Sequence, residues 1–291
     1  MTIRDLLSND TYTQKPVLEK LICYYCDVSK SDLFAHSERV LTDAEVQQVT
    51  DGYTRYTTHH QPLEYVLGCV EFAGLRFHVT PATLIPRPET EYMIEAIRER
   101  AATQSLATTT LRDIGTWCGV LGLSTLYYEH RILREAYLTD LSEEALAVAR
   151  WNFDAVLPVS DFRFHISFIQ SDLLTAPLLT ESFKNTANLL LVANLPYIPD
   201  QLFATNVEDN VKKREPKMAF VGGEDWLDLY RIMLRQAIDL QKTYGKKPVT
   251  CFLEMMTRQG ELLQKEFAER FTFEEVKTFH FNIRIVKGVM R

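Results

Sequence analysis

Three short stretches carry residue types whose spacing could do chemistry. The first is Asp113-Ile-Gly115-Thr116-Trp117-Cys118-Gly119, a glycine-bearing turn that opens a predicted helix. Glycine there lets the backbone come close to a ligand, and the helix start offers unpaired N–H donors. The second is Asp140, about twenty residues further on, a carboxylate at the distance that suits a ribose diol. The third is Asn194-Leu195-Pro196-Tyr197, which follows the apolar run Leu189-Leu-Leu-Val-Ala193. Singly, the first two signals fit an ordinary tight turn as well as a nucleoside site. Asn-x-Pro-Tyr is more specific: proline stiffens the turn, asparagine supplies a planar donor–acceptor pair, and tyrosine a flat face. Together those parts suit a flat amide or an amino-substituted base, and they leave the two open.

The elements that position these stretches come in two kinds. In residues 1–60, Val17, Leu18, Leu21, Ile22 and Tyr25, then Val46, Val49, Tyr53 and Tyr56, recur at helical spacing, so this part is expected to be a small helical docking domain. Across 61–83 the period changes. Tyr65-Val66-Leu67-Gly68 and Leu75–Val79 read as short strands of a β-hairpin linker. From 84 to 291 strands and helices alternate. Strands are expected to end at Asp113, Asp140, Gln170, Ala193 and Glu254, with helices at about 88–101, 119–129, 142–153, 224–242 and 257–270. That alternation predicts an α/β domain with a parallel sheet covered on both faces. Val276–Phe279 and Ile283–Val289 lie too close for a helical crossover and should pair antiparallel. In such sheets ligands bind beyond the carboxyl ends of the strands, where all three stretches fall.

Composition narrows the function classes. The 291 residues suit about two domains, and 46% hydrophobic with 24% charged residues is ordinary globular usage. A net charge of −7 disfavours broad electrostatic binding to nucleic acid, and Lys212-Lys213-Arg214 reads as a solvated loop. No apolar run approaches the roughly 18 residues of a membrane helix, and the first residues lack a basic segment followed by an apolar one, so a cytoplasmic protein is expected. Five cysteines imply free thiols. Cys23 and Cys26 form a C-x-x-C inside a helical pattern with no second pair, so no metal site is expected.

Four motifs occur in order: Gln61-Pro-Leu-Glu-Tyr-Val-Leu-Gly68, Leu84-Ile-Pro-Arg-Pro-Glu-Thr-Glu91, Asn194-Leu-Pro-Tyr-Ile198, and Glu215-Pro-x-x-Ala219-x-x-Gly222-Gly223-Glu-Asp225. In these the chain resembles the release-factor glutamine N5-methyltransferases, the PrmC/HemK family, over nearly its whole length. The resemblance implies a helical N-terminal domain joined to a Rossmann-like class I methyltransferase domain, with a mostly parallel seven-stranded sheet whose last strand is antiparallel. It implies S-adenosylmethionine as cofactor, the Gly-Gly-Gln glutamine of a bacterial class 1 release factor as substrate, and a monomer without stable nucleic-acid binding. By the same resemblance Gly115, Thr116, Trp117, Cys118 and Gly119 hold the methionine end of the cofactor and Asp140 its ribose. Leu173, after Asp172, lies near the adenine. Asn194, Leu195, Pro196 and Tyr197 hold the substrate glutamine, Asn194 also bordering the cofactor.

Two departures stand out. The family's Asn-Pro-Pro-Tyr is Asn-Leu-Pro-Tyr here, a form that also resembles rRNA adenine dimethyltransferases, so adenine N6 methylation is an alternative. Trp117 and Trp226 stand where the family carries glycine, in a chain with only 11 glycines, about 4% against a usual 7% or so. That coincidence suggests UGA codons, read as glycine in the source, rendered as tryptophan, with Trp151 a third instance. If the tryptophans are genuine, the cofactor loop is impaired and a degenerate methyltransferase serving as a binding module is a further alternative.

Overall fold

Helices at the start of the chain are set by their caps. The structure is a computed structural model that describes residues 1–103, 109–130, 133–157, 165–197, 227–278 and 283–291. Thr2, Ser29 and Thr42 each accept from the backbone three residues on, while Asp5, Asp32 and Glu45 reach back to the cap N–H. These reciprocal bonds satisfy donors that a helix start leaves open. They begin α1 (Ile3–Ser8), α3 (Lys30–Ala35) and α4 (Asp43–Thr57); α2 is Lys15–Tyr25. Leu18, Leu21, Ile22 and Val49 are fully buried between them.

Residues 65–67, expected as a strand, are helical. They lie in α5 (Leu63–Leu67), which Gly68 ends at φ +72°. The physical reason is the core: as a helix this run turns Leu63 and Val66, three apart, onto one face, and both join the helical cluster. A strand would put them on opposite faces. The described chain accordingly divides after Cys69, into Met1–Cys69 and the residues from Val70 on.

From the boundary on, β1 (Cys69–Phe72) pairs with β2 (Leu75–His78), and a single 3-10 turn at Pro88–Thr90 leads into α6 (Glu91–Thr103). Then follow β3 (Thr109–Ile114), α7 (Val120–Glu129), β4 (Leu133–Asp140), α8 (Glu143–Val156), β5 (His165–Gln170), α9 (Pro177–Asn185) and β6 (Asn188–Ala193). The chain ends with α10 (Asp228–Tyr244), β7 (Val249–Met256), α11 (Thr257–Glu266), β8 (Phe271–Thr278) and β9 (Ile283–Met290). The seven-stranded sheet has the order β5-β4-β3-β6-β7-β9-β8. Pairings among β3 to β7 are parallel, and β9 runs antiparallel to both neighbours. This is the expected fold class.

Helix α9, like α1 and α3, is not anticipated from the sequence. The fully buried Arg112 of β3 holds it through Nη2, which donates to Leu179 O and to Ser182 Oγ. The strand order reverses between β3 and β6. From there β4 and β5 step one way and β7 the other, so the carboxyl ends of β3 and β6 frame a crevice. Among the described residues no helix is long and apolar enough to cross a membrane. Ile198, Lys212-Lys213-Arg214, the Glu215–Asp225 motif and Trp226 lie outside the described residues.

Candidate active site

The crevice begins with Asp113, one residue before the end of β3. Its side chain is buried, and Oδ2 accepts from Thr116 Oγ1 (2.6 Å) and from the Gly122 N–H of α7 (2.8 Å). Burial pushes this carboxyl up to about 7, against the pull of those two donors. Asp113 thus ties a strand end to a helix start and does not line the crevice. The Thr116 hydroxyl is committed to Asp113 while the residue borders the crevice, and Cys118 is fully buried with its thiol pushed up to about 12 by desolvation.

Gly115, next along, has φ +70°, and a Cβ there would lie 2.9 Å from Leu195 Cδ2. The left-handed backbone favours glycine here, and a Cβ would also push the Leu195 side chain aside. Trp117 has φ +53°, in the left-handed region that costs L-residues roughly 1–2 kcal/mol. Its backbone N–H donates to Asp140 Oδ2 (2.9 Å), and Ser142 N–H donates to Oδ1 (3.0 Å). Asp140 sits at the end of β4, 6% exposed, its pKa raised by burial although both amides oppose the rise. A carboxylate has about four acceptor positions, so Asp140 keeps capacity for a diol.

Two small cavities share Gly115 and Trp117 as lining residues. One, of about 100 Å³, is lined by Gly115, Trp117, Asp140, Leu141, Asp172, Leu173, Leu195 and Leu229 among others. The other, of about 20 Å³, is lined by Leu84, Pro86, Thr90, Thr116, Cys118 and Asn194 together with Gly115 and Trp117, among others. Leu173, at φ +54°, is a second left-handed non-glycine residue on the larger cavity. Backbone strain of this kind concentrates at ligand clamps and active sites.

Across the crevice Ile114 and Ala193 are register partners on parallel strands, so Gly115 and Asn194 leave the sheet side by side. Asn194 Nδ2 donates to Thr90 Oγ1 (3.1 Å), which turns its Oδ1 away from Thr90. Thr90 Oγ1 in turn donates to Glu254 Oε2, and Tyr197 O–H to Glu254 Oε1, each at 2.6 Å. Tyr230 O–H accepts from Leu195 N–H (3.2 Å) and donates to the Glu254 carbonyl. Glu254 is 1% exposed, its pKa raised chiefly by desolvation. Tyr197 is held well above the usual phenol range by burial and by that carboxylate.

The structure therefore brings together the Gly115 turn, Asp140, Leu173 and the Asn194–Tyr197 motif. It adds Thr90, Tyr230 and Glu254, which sequence reasoning missed as site residues. Glu254 did leave a signal. It is a lone carboxylate in the apolar run Val249-Thr-Cys-Phe-Leu-Glu-Met-Met256, near the carboxyl end of a parallel strand.

Comparison with known proteins bears on this arrangement. Residues 5–68 match the family described as PrmC N-terminal domain. The Moorella thermoacetica protein named release factor glutamine methyltransferase is 33% identical over 262 residues, covering 90% of this chain and 85% of its own. The Bacillus cereus protein of the same name is 30% identical over 265 residues, covering 89% and 86%. Among solved structures, the hMettl16 catalytic domain in complex with MAT2A 3'UTR hairpin 1 aligns with a TM-score of 0.50 at 16% identity, covering 97% of this chain and 94% of that one. That last likeness is one of fold.

Proposed function

The chain belongs to the release factor glutamine methyltransferase family, and from that premise we propose that it transfers a methyl group from S-adenosylmethionine to the side-chain amide nitrogen (N5) of the Gly-Gly-Gln glutamine in a bacterial class 1 peptide chain release factor. The observation that carries this reading is the adjacency of Gly115 and Asn194 at the strand switch point, with the Asn194 NH2 group already bonded to Thr90. An asparagine held that way has an oxygen to offer to an incoming amide.

The residues suit the cofactor chemically. Asp140 has the acceptor capacity for ribose hydroxyls, Leu141 and Leu173 offer apolar surface for a purine, and the Gly115–Gly119 turn presents backbone to the methionine end, with Asn194 at its border. Space is set by Trp117. Cavities of about 100 and 20 Å³ fall short of the roughly 300 Å³ or more of a typical small-molecule site, and Trp117 lines both, so its side chain competes with the cofactor for room. When bound, S-adenosylmethionine supplies an electrophilic methyl on a sulfonium.

The chain's own task is to make a poor nucleophile react. A carboxamide nitrogen shares its lone pair with the carbonyl, so it must be aimed and stripped of water. Asn194 Oδ1 and the Leu195 carbonyl accept the two amide hydrogens, which fixes the nitrogen and favours positive charge developing on it. Tyr197 packs on the amide plane, its ring anchored through Glu254. Orientation of this kind is worth about 7–11 kcal/mol of barrier. No general base is needed before transfer, because the proton can leave the methylated amide afterwards. The reading implies a cytoplasmic, monomeric enzyme without stable nucleic-acid binding.

Mass spectrometry of a release factor and of rRNA, each incubated with the protein and cofactor, tests the reading. One added methyl on the Gly-Gly-Gln glutamine is expected; methylated adenine with an unmodified glutamine would replace it with the base-methylating alternative. Asn194→Ala is expected to abolish turnover while calorimetric cofactor affinity stays within a few-fold, and undiminished methylation would refute the role of Asn194.

A further inference from the structure

On the glutamine-methylating reading, on which this inference rests, Asn194 has to present its oxygen to the substrate and not its NH2 group. The two ends of an asparagine amide are nearly the same size, so shape alone does not choose between them. The surrounding hydrogen bonds do. Glu254 is fully enclosed at the end of β7, and the groups acting on its carboxyl are Thr90, Tyr197, Asn194 and the like-charged Glu89. Both Glu254 oxygens are used as acceptors, one by the Thr90 hydroxyl and one by that of Tyr197. Thr90 has a single hydroxyl proton and gives it to Oε2 at 2.6 Å, so toward Asn194 its oxygen can act only as acceptor. Asn194 must therefore bring Nδ2 to Thr90, at 3.1 Å, and Oδ1 is left for the crevice.

We propose that Glu254 is a positioning residue that sets the polarity of Asn194, attracting its NH2 group directly and through the hydroxyl of Thr90. Its second oxygen takes the Tyr197 proton, and its backbone carbonyl takes that of Tyr230, whose oxygen receives the Leu195 N–H. One acidic residue from β7 thus fixes three of the four residues of the Asn194–Tyr197 turn by direct or relayed bonds. Reversing one donor in this chain frees the asparagine to flip. A flipped Asn194 would confront the substrate NH2 group with its own.

The test uses the full chain with Thr90→Val, which keeps the shape and removes the relay, Thr90→Ser, which restores the hydroxyl, and Glu254→Gln, which makes one acceptor a donor. Thr90→Val is expected to lower kcat on the release factor by about tenfold or more, the scale of a misplaced reacting group. Cofactor affinity should stay near that of the parent, while the melting temperature falls by a few degrees because a buried acceptor loses its donor. Thr90→Ser should rescue most of the lost kcat, and Glu254→Gln should follow Thr90→Val. A Thr90→Val protein with parental kcat, or a Thr90→Ser protein as slow as Thr90→Val, overturns the relay. The Asn194 side-chain amide, followed by nitrogen-15 NMR without substrate, gives a separate reading: its protons should be protected from exchange in the parent and lose that protection in Thr90→Val. If that change occurs while the parent leaves release factors unmodified, the relay stands and the functional reading falls. If the parent methylates and neither signal responds, the reverse holds.

Discussion

Trp117 carries a conformation that belongs to a smaller residue. Its φ of +53° lies in the left-handed region, the residue lines both small cavities of the crevice, and its N–H still serves Asp140. Replacing the side chain by hydrogen keeps the backbone bond and removes the obstruction. Trp117→Gly is therefore expected to tighten cofactor binding by roughly tenfold, within the 1–3 kcal/mol or so that overpacking commonly costs. Calorimetry with the demethylated cofactor product measures this; unchanged affinity would mean that the indole does not compete for the space. The same backbone agrees with recoding at this position, for which the gene should carry UGA, and a UGG codon would end that idea.

At the scale of elements, the crevice depends on how β3 passes into α7. Asp113 makes that junction by accepting from the Thr116 hydroxyl and the Gly122 amide, buried away from solvent. Its folded pKa of about 7 lies above the roughly 3.9 of an unfolded aspartate. The folded state then binds the proton more tightly, so the stability linked to it is full below about pH 4 and is lost as pH climbs toward 7. Thermal unfolding across that range should show the parent losing stability relative to Asp113→Asn, which cannot ionise. Parallel curves for the two proteins would show that Asp113 does not titrate there. A different element, α5, shows how packing overrides local pattern: Tyr65-Val66-Leu67 has strand-like residues, yet the helix lets Leu63 and Val66 share one core face.

For the molecule as a whole, charge separates the proposed substrate from the alternative. The net charge is −7 and the isoelectric point about 5.6, so no excess of positive charge is available to displace counterions from a polyphosphate backbone. Titration by fluorescence anisotropy near physiological salt should show saturable binding of the release factor and none of an rRNA hairpin. Saturable RNA binding that weakens steeply with salt would favour the adenine alternative. The two units from Met1 to Cys69 and from Val70 onward each have buried residues of their own. The boundary falls later than residue 60 because α5 buries its face in the helical core.

Patterns that repeat along the chain were legible without coordinates. Alternating apolar strands and amphipathic helices predicted the parallel sheet, and a polar or glycine residue at each strand end marked Gly115, Asp140 and Asn194, because these signals are local. The bonds that orient the site were not legible. Thr90 reaches Glu254 across 164 residues and Asn194 reaches Thr90 across 104, distances over which neither periodicity nor a short motif carries information. Sequence by itself determined that an asparagine would stand at the end of a buried strand beside a glycine turn. Only the convergence of β6, β7 and the segment before α6 decided which end of its amide faces the crevice, since that choice depends on a buried carboxyl that takes the Thr90 proton and so leaves the Thr90 oxygen to accept from Asn194.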